Sequence, residues 1–357
     1  MDDTWRLYDT APIRKDYVWD VAGPAWRTFG GLPDNEPATK TSPAKRFQPV
    51  DPIPQEPPPD FYYLASEDVI NVINLALRLR RPILATGAPG TGKTTLASSI
   101  AYHLRLGPPL QWLITSRSTV RDALYQYDAL ARVSDMNLAN KAPEGAAAEL
   151  DAKARDIGRY ITLGPLGDAL LPRPRPRVLL IDEIDKCDID LPGDLLHVLD
   201  RGSYEIPELV RESADDKDDF EVQRADAEGR EQRKVWIRRG RVECYEFPVV
   251  VITSNEERAF PPAFERRCLP IRLKPPVKED LEKIAAAKLG LDTQQAAAEV
   301  ADAQGFLDEQ RKALSLDGQE PPTSQMLNLL YLRLNGRGLS KDRLDSLAKI
   351  LLSQSNG

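Results

Sequence analysis

One stretch of nine residues limits what the rest of the chain can become. Gly87-Ala88-Pro89-Gly90-Thr91-Gly92-Lys93-Thr94-Thr95 fits the phosphate-loop pattern G-x-x-x-x-G-K-[ST] at every fixed position. Its flanks suit it: Pro82-Ile83-Leu84-Ala85-Thr86 is a short apolar run fit for a buried parallel strand, and Leu96 to Leu106 reads as a helix. Gly87, Gly90 and Gly92 let the backbone turn tightly, so that its N–H groups converge on phosphate oxygens at the partly positive start of that helix. Lys93 is expected to neutralise phosphate charge and Thr94 to ligate Mg²⁺. The predicted ligands are thus ATP and Mg²⁺, with Gly87, Pro89, Gly90, Thr91, Gly92, Lys93, Thr94 and Thr95 as the binding set. GTP satisfies the same pattern, because the contacts that select the base are not legible here.

A second apolar run, Val178-Leu179-Leu180-Ile181-Asp182-Glu183, ends in two carboxylates. In a parallel sheet, acids at the C-terminal end of a buried strand face the crevice where ligands bind. Asp182 is therefore expected to hold Mg²⁺ and Glu183 to act as general base on the attacking water. Asp185 and Lys186 follow and read equally well as surface charges. A third run, Pro248-Val249-Val250-Val251-Ile252-Thr253-Ser254-Asn255, ends in a neutral side chain that both donates and accepts, suited to orienting that water. A turn asparagine at a strand end is the plainer alternative. Arg266-Arg267 ends a short helix before the strand Leu269–Leu273, and one of the two is expected to reach the γ-phosphate of a neighbouring subunit.

The rest of the chain frames this site. With 357 residues, 41% hydrophobic and 29% charged, it has the composition of a folded protein of more than one domain. A net charge of −7 disfavours a general nucleic-acid or membrane surface. Cys187, Cys244 and Cys268 lie far apart without a C-x-x-C, and only two histidines are present, which speaks against a zinc site and for the reducing cytoplasm. Residues 1–60 read as a proline-rich extension, part of which, through the aromatic set Trp5, Tyr8, Tyr17, Trp19, Trp26 and Phe29, is expected to strap onto the folded body or onto a neighbouring subunit, a disordered leader being the plainer alternative.

From Ser66, a helical pattern over Glu67–Arg80 leads into the phosphate-loop strand. Leu110–Ile114 reads as a strand and Val120–Arg132 as one helix. An exposed inserted helix or loop follows over Ala139–Arg155, then a short helix over Pro165–Leu171. Residues 208–233 are so charge-dense that they predict a mobile loop. Val235 to Glu246 reads as a β-hairpin turning at Gly240, whose basic tip Arg238-Arg239-Gly240-Arg241 fits a nucleic acid, an acidic partner or plain solvent. After Pro275-Pro276 only helices are predicted, over Val277–Leu289, Thr293–Leu316, Thr323–Leu334 and Ser340–Leu352.

Taken in order, Gly87–Thr95, Val178–Glu183, Asn255, Arg266-Arg267 and a helical end resemble the AAA+ ATPases. Finer segments, among them Thr115-Ser116-Arg117-Ser118-Thr119, Leu124-Tyr125-Gln126-Tyr127-Asp128 and Asp182-Glu183-Ile184-Asp185-Lys186, are similar to the MoxR branch found in bacterial defence neighbourhoods beside von Willebrand factor A proteins. The resemblance implies an α/β fold, a three-layer αβα domain with a parallel sheet over residues 61–275, followed by a small all-α lid over 276–357. It implies a homo-oligomeric ring, a hexamer in the common form, with ATP between subunits and a partner protein to remodel. It also implies Arg267 as the trans arginine finger, with Arg266 as the near alternative. One departure stands out: where relatives carry a sensor arginine on the third lid helix, this chain reads Pro322-Thr323-Ser324-Gln325-Met326. Gln325 supplies no cation.

Overall fold

The inner strands of the central sheet are apolar along most of their length because both of their faces are covered. In the computed structural model the described residues are 5–9, 19, 21, 23–30, 47, 61–213, 218–225, 233–313, 323–335, 343, 346, 347 and 350. The chain runs through α1 (Glu67–Leu79), β1 (Ile83–Thr86), α2 (Lys93–His103), β2 (Leu110–Leu113), α3 (Val120–Leu124), β3 (Tyr125–Tyr127), α4 (Ala129–Lys141) and α5 (Glu144–Arg155). It continues through β4 (Ile161–Leu163), α6 (Pro165–Ala169), β5 (Val178–Asp182), α7 (Leu191–Arg201), β6 (Ser203–Glu205), α8 (Pro207–Glu212), β7 (Asp219–Arg224), β8 (Arg233–Arg238) and β9 (Arg241–Glu243). It ends with β10 (Val249–Ser254), α9 (Pro262–Arg267), β11 (Leu269–Arg272), α10 (Lys278–Leu289), α11 (Thr293–Ala313) and α12 (Thr323–Asn335).

Five strands pair in the order β11-β1-β10-β5-β2, all parallel. Alternate side chains leave opposite faces of a strand. Ile83, Ala85, Val178, Leu180 and Val251 accordingly pack with Ile73 of α1 and Leu96 and Ile100 of α2. Leu84, Leu179, Ile181, Val250 and Ile252 pack on the other face with Leu166 of α6, Leu195 of α7 and Phe264 of α9. Two cores on one sheet make the expected three layers. The C-terminal helices close a separate small core of Ala285, Val300, Ala303, Leu307, Met326, Leu329 and Leu330. Most of the helix expected over Ser340–Leu352 lies outside the described residues.

A second sheet, β3-β4-β7-β8-β9-β6, corrects two readings of the sequence. The single helix expected over Val120–Arg132 is split by β3, which pairs antiparallel with β4 at Tyr125↔Leu163. Two caps announce the break: the Thr119 hydroxyl accepts from the Asp122 N–H at 3.2 Å and Asp128 from the Ala131 N–H at 2.8 Å. The helix expected within Ala139–Arg155 is α5, which packs back on α4, and residues 139–141 are the end of α4. Within the stretch read as a mobile loop, 219–224 is a strand paired along its whole length with β8. Phe220, Val222 and Arg224 point inward while Asp219, Glu221 and Gln223 do not. The inward arginine disguised the alternation; it lies buried against Asp168, Nε to Oδ2 2.7 Å, and Asp168 also holds buried Arg173. Residues 214–217 and 226–232 of that stretch lie outside the described residues.

The hairpin at Gly240 is present. Arg238 pairs with Arg241, and the turn residues Arg239 and Gly240 both have positive φ, 49° and 68°, the type I′ arrangement that suits the twist of two strands. A Cβ at Gly240 would stand 2.6 Å from the Val210 nitrogen, so no other residue fits that approach.

Tyr8, Trp19 and Phe29 strap onto the body, whereas Trp26 is exposed and Tyr17 lies outside the described residues. Tyr8 is fully buried, and its hydroxyl shares a hydrogen bond of 2.9 Å with Ser99 of α2. Leu7 and Tyr8 donate their N–H groups to the Asn74 carboxamide oxygen at 2.6 and 2.9 Å, while Asn74 Nδ2 donates to the Tyr8 and Ile70 carbonyls. Further along, the Trp19 indole donates to Glu246 at 3.2 Å and Phe29 stacks on Phe247 at 5.3 Å. The proline-rich residues 31–60 lie outside the described residues apart from Phe47. Asn74→Ala leaves two buried N–H groups unpaired, at a cost of about 1–3 kcal/mol. Its urea midpoint should fall and proteolysis ahead of residue 61 should accelerate; an unchanged digestion pattern would show that the strap does not hang on Asn74.

Candidate functional site

The phosphate loop joins the end of β1 to the start of α2. Gly87 has φ 146°, and a Cβ there would lie 2.5 Å from the Leu273 carbonyl oxygen. Gly92 has φ 87° and lies against the Tyr63 ring. These two positions demand glycine, both for the dihedral and for the room. Lys93 is buried in the loop, with Nζ donating to the carbonyls of Gly87 at 2.7 Å and Ala88 at 2.9 Å. Burial pushes its ammonium below the ordinary lysine value, and the Asp185 and Asp182 carboxylates counter that. Thr91 closes the turn, its hydroxyl donating to Ala88 at 2.9 Å.

The ends of β5 and β10 meet this loop. The Thr94 hydroxyl stands 3.3 Å from both Asp182 carboxylate oxygens. Thr253, buried on β10, donates to Asp182 Oδ1 and accepts the Glu183 N–H at 2.8 Å. That bond holds Glu183 in a left-handed conformation, φ 60°, which turns the chain out of the strand. The Glu183 carboxylate is half exposed and pairs with Lys186 at 2.5 Å. Asp185 is no surface charge: it is 5% exposed, and its Oδ2 accepts the N–H groups of Asn255 at 2.9 Å and Glu257 at 3.3 Å. Thr94, Asp182, Glu183 and Asn255 are thus linked through Thr253 and Asp185. Sequence reasoning left both linkers without a role, though Thr253, a hydroxyl within an all-apolar run one strand from the carboxylates, was the available signal.

Arg266 and Arg267 stand apart from this cluster. Both precede β11, whose Leu269 is in register with Ile83 at the start of β1, whereas the loop follows Thr86 at its end. Three residues of strand put about 10 Å between the two ends of the sheet. Arg267 donates through Nε to Asp200 of α7 at 2.8 Å, Arg266 through Nε to the Pro262 carbonyl at 3.2 Å, and Arg81 donates to the carbonyls of both. The basic hairpin tip is matched by acids: Arg239 pairs with Asp218 at 2.7 Å and Arg241 with Glu205 at 3.0 Å. Gln325 on α12 has a buried Oε1 without a hydrogen-bond partner among the described residues.

The donors fit a small hard cation. One hydroxyl and one carboxylate converge beside a phosphate loop, and no group of three or more His, Cys, Asp and Glu suited to a metal occurs among the described residues. Magnesium prefers such sites, with one or two protein oxygens and the rest from phosphate and water. All three cysteines are free and buried, and burial pushes the Cys244 and Cys268 thiols up to about 12. Among the described residues no helix is long and apolar enough to cross a membrane.

Residues 82–268 match the family described as AAA domain (dynein-related subfamily). No curated protein matches the sequence. Solved structures similar to this chain include NtrX from Brucella abortus in complex with ATP, 15% identical over 76% of this chain and 51% of that one, TM-score 0.33. The same protein in complex with ADP is 15% identical over 80% and 54%, TM-score 0.35. The S. cerevisiae Hsp104–ADP complex is 16% identical over 62% and 36%, TM-score 0.32. The chain spans about half the length of the NtrX chains and about a third of Hsp104, so the activities of those whole proteins do not pass to it.

Proposed function

The chain belongs to the AAA domain family, in its dynein-related subfamily, and on that premise we propose that it hydrolyses ATP with Mg²⁺ in a ring of its own copies and uses the cycle to remodel a partner protein. The observation that carries hydrolysis is the Thr253 bridge, which ties the Asp182 carboxylate to the backbone N–H of Glu183 beside Thr94 and the Lys93 loop. Lys93 and the loop N–H groups bind the phosphates. Thr94 and Asp182 hold the cation, which when bound draws charge from the β- and γ-oxygens. Glu183, half exposed and paired with Lys186, accepts a proton from the attacking water. Asn255, its backbone fixed by Asp185, orients that water.

The ring rests on the position of Arg267: the opposite end of the sheet from its own loop suits a donor to a neighbour's nucleotide. In this reading the domain of residues 61–275 carries the nucleotide and 276–357 form the lid. The finer identity, a MoxR-like ATPase of a bacterial defence system acting in the cytoplasm on a von Willebrand factor A or other effector protein, rests on the segments that resemble that branch. The acid-matched hairpin tip speaks against a nucleic-acid translocase. Gln325 favours a second reading, a nucleotide-gated scaffold with little turnover, since it offers the γ-phosphate no cation.

Steady-state ATP hydrolysis against protein concentration separates these readings, with Glu183→Gln as blank. Specific activity should rise with concentration to a plateau as rings form. Activity independent of concentration would remove the ring, and activity no greater than the blank at any concentration would leave the scaffold.

A further inference from the structure

The two ends of the strap are held by different devices, and the second shares an aspartate with the arginine assigned to the neighbour's site. Residues 23–30 cross behind the N-terminal end of the sheet, fixed by the Phe29–Phe247 stack and by the Gly30 N–H donating to Glu243 at 2.8 Å. Just ahead of these anchors the Arg27 guanidinium lies over the Phe247 ring, 4.9 Å from its centroid, and Nη2 donates to the Leu199 carbonyl at 3.4 Å. Its Nη1 stands 3.6 Å from Asp200 Oδ1, while Asp200 Oδ2 accepts from Arg267 Nε at 2.8 Å. One carboxylate at the end of α7 is thus divided between a strap arginine and Arg267. All three line a cleft of about 560 Å³, with Trp26, 83% exposed, among its other walls.

The way Arg267 is bound matters. A guanidinium offers five N–H donors in a rigid fork. Held through Nε, with only a 3.4 Å contact from Nη1 to the Ala263 carbonyl, Arg267 keeps Nη2 without a hydrogen bond among the described residues. An arginine tethered along its inner edge in this way has its direction set and its outer donors available, which is what a phosphate donor needs before its partner arrives.

We propose that Asp200 is a positioning residue for the arginine finger Arg267, and that the N-terminal strap, through Arg27, holds Asp200 in place and so forms part of the neighbouring subunit's ATP site. This rests on the reading of Arg267 as a donor in trans. The strap thereby acts on turnover without touching its own chain's nucleotide.

The test uses the full chain with Asp200→Ala, Asp200→Asn, Arg27→Ala and Arg267→Ala, reading ATP affinity, kcat and rescue in mixed rings. A half-exposed ion pair adds little to folding stability, so the variants should fold. Asp200→Ala should keep the ATP affinity of the parent chain and lose roughly ten- to a hundred-fold in kcat, the scale of a misplaced catalytic group. Asp200→Asn, which keeps an acceptor for Nε, should recover part of that, and Arg27→Ala should show a smaller loss of the same kind. Excess Glu183→Gln chains carry an intact Arg267 and should restore turnover at the Asp200→Ala subunits, which a merely structural defect in those subunits would not allow. If Arg267→Ala loses turnover while Asp200→Ala matches the parent, exceeds it, or is not rescued, the positioning role is wrong and the trans donor stands. If Arg267→Ala turns over normally, both fall.

Discussion

Replacing Glu183 by glutamine should lower ATP turnover by roughly 10²–10⁴-fold, the usual contribution of a general base, while the chain still binds ATP. The substitution preserves shape and removes only the ability to take a proton. What holds the position should survive: the Glu183 N–H still donates to Thr253, and the left-handed turn that carries the side chain out of β5 depends on backbone alone. Lys186 loses its ionic partner, which adds positive charge near the phosphates and should leave affinity equal or slightly raised. Single-turnover hydrolysis with radiolabelled ATP, read beside equilibrium binding, separates the two quantities. Turnover within a factor of a few of the parent would move the base elsewhere, and Asp185 is no substitute, buried as it is against the Asn255 and Glu257 N–H groups.

The central sheet and its loop were legible because each rests on a short-range rule. Runs such as Val178–Ile181 and Val249–Ile252 are apolar on both faces, as strands covered twice must be, and a glycine-rich loop between strand and helix has few alternative uses. The second sheet was not legible, because its determinants are remote in sequence. Arg224 counts as one more charge in an acidic stretch until Asp168, 56 residues away, is seen to neutralise it. Tyr125-Gln126-Tyr127 is too short for its period to be read, and only β4 as a partner makes it a strand. Within the site the same divide holds. The residues expected to meet phosphate and metal were named directly, whereas Thr253 and Asp185 acquire roles only once β10 lies beside β5. The strap falls between these cases: aromatics such as Tyr8 and Phe29 announced that they would be covered, but not that Asn74 would hold the backbone of Leu7 and Tyr8.

Arg267→Ala should cost more than any other single change outside the phosphate loop, roughly 10³–10⁵-fold in kcat by the usual worth of an arginine finger. The expectation follows from charge. The transition state spreads negative charge over the γ-phosphoryl oxygens; of the chain's own cations Lys93 is already placed in the loop and Lys186 is paired with Glu183, and Gln325 adds none from the lid. In the trans reading a neighbour's arginine adds the further charge, and Arg267 stands about 10 Å of strand away from its own loop. ATP affinity should change little, because the donor acts mainly on charge that develops during transfer. Mixing decides the geometry. Arg267→Ala chains have an intact base and a missing donor, Glu183→Gln chains the reverse, and neither should turn over alone. Mixed rings should recover activity wherever a Glu183→Gln subunit offers its Arg267 to an Arg267→Ala neighbour. Recovery without mixing, or none in mixtures shown by cross-linking to share rings, would sink the trans assignment and turn attention to Arg266, one residue earlier on the same helix end.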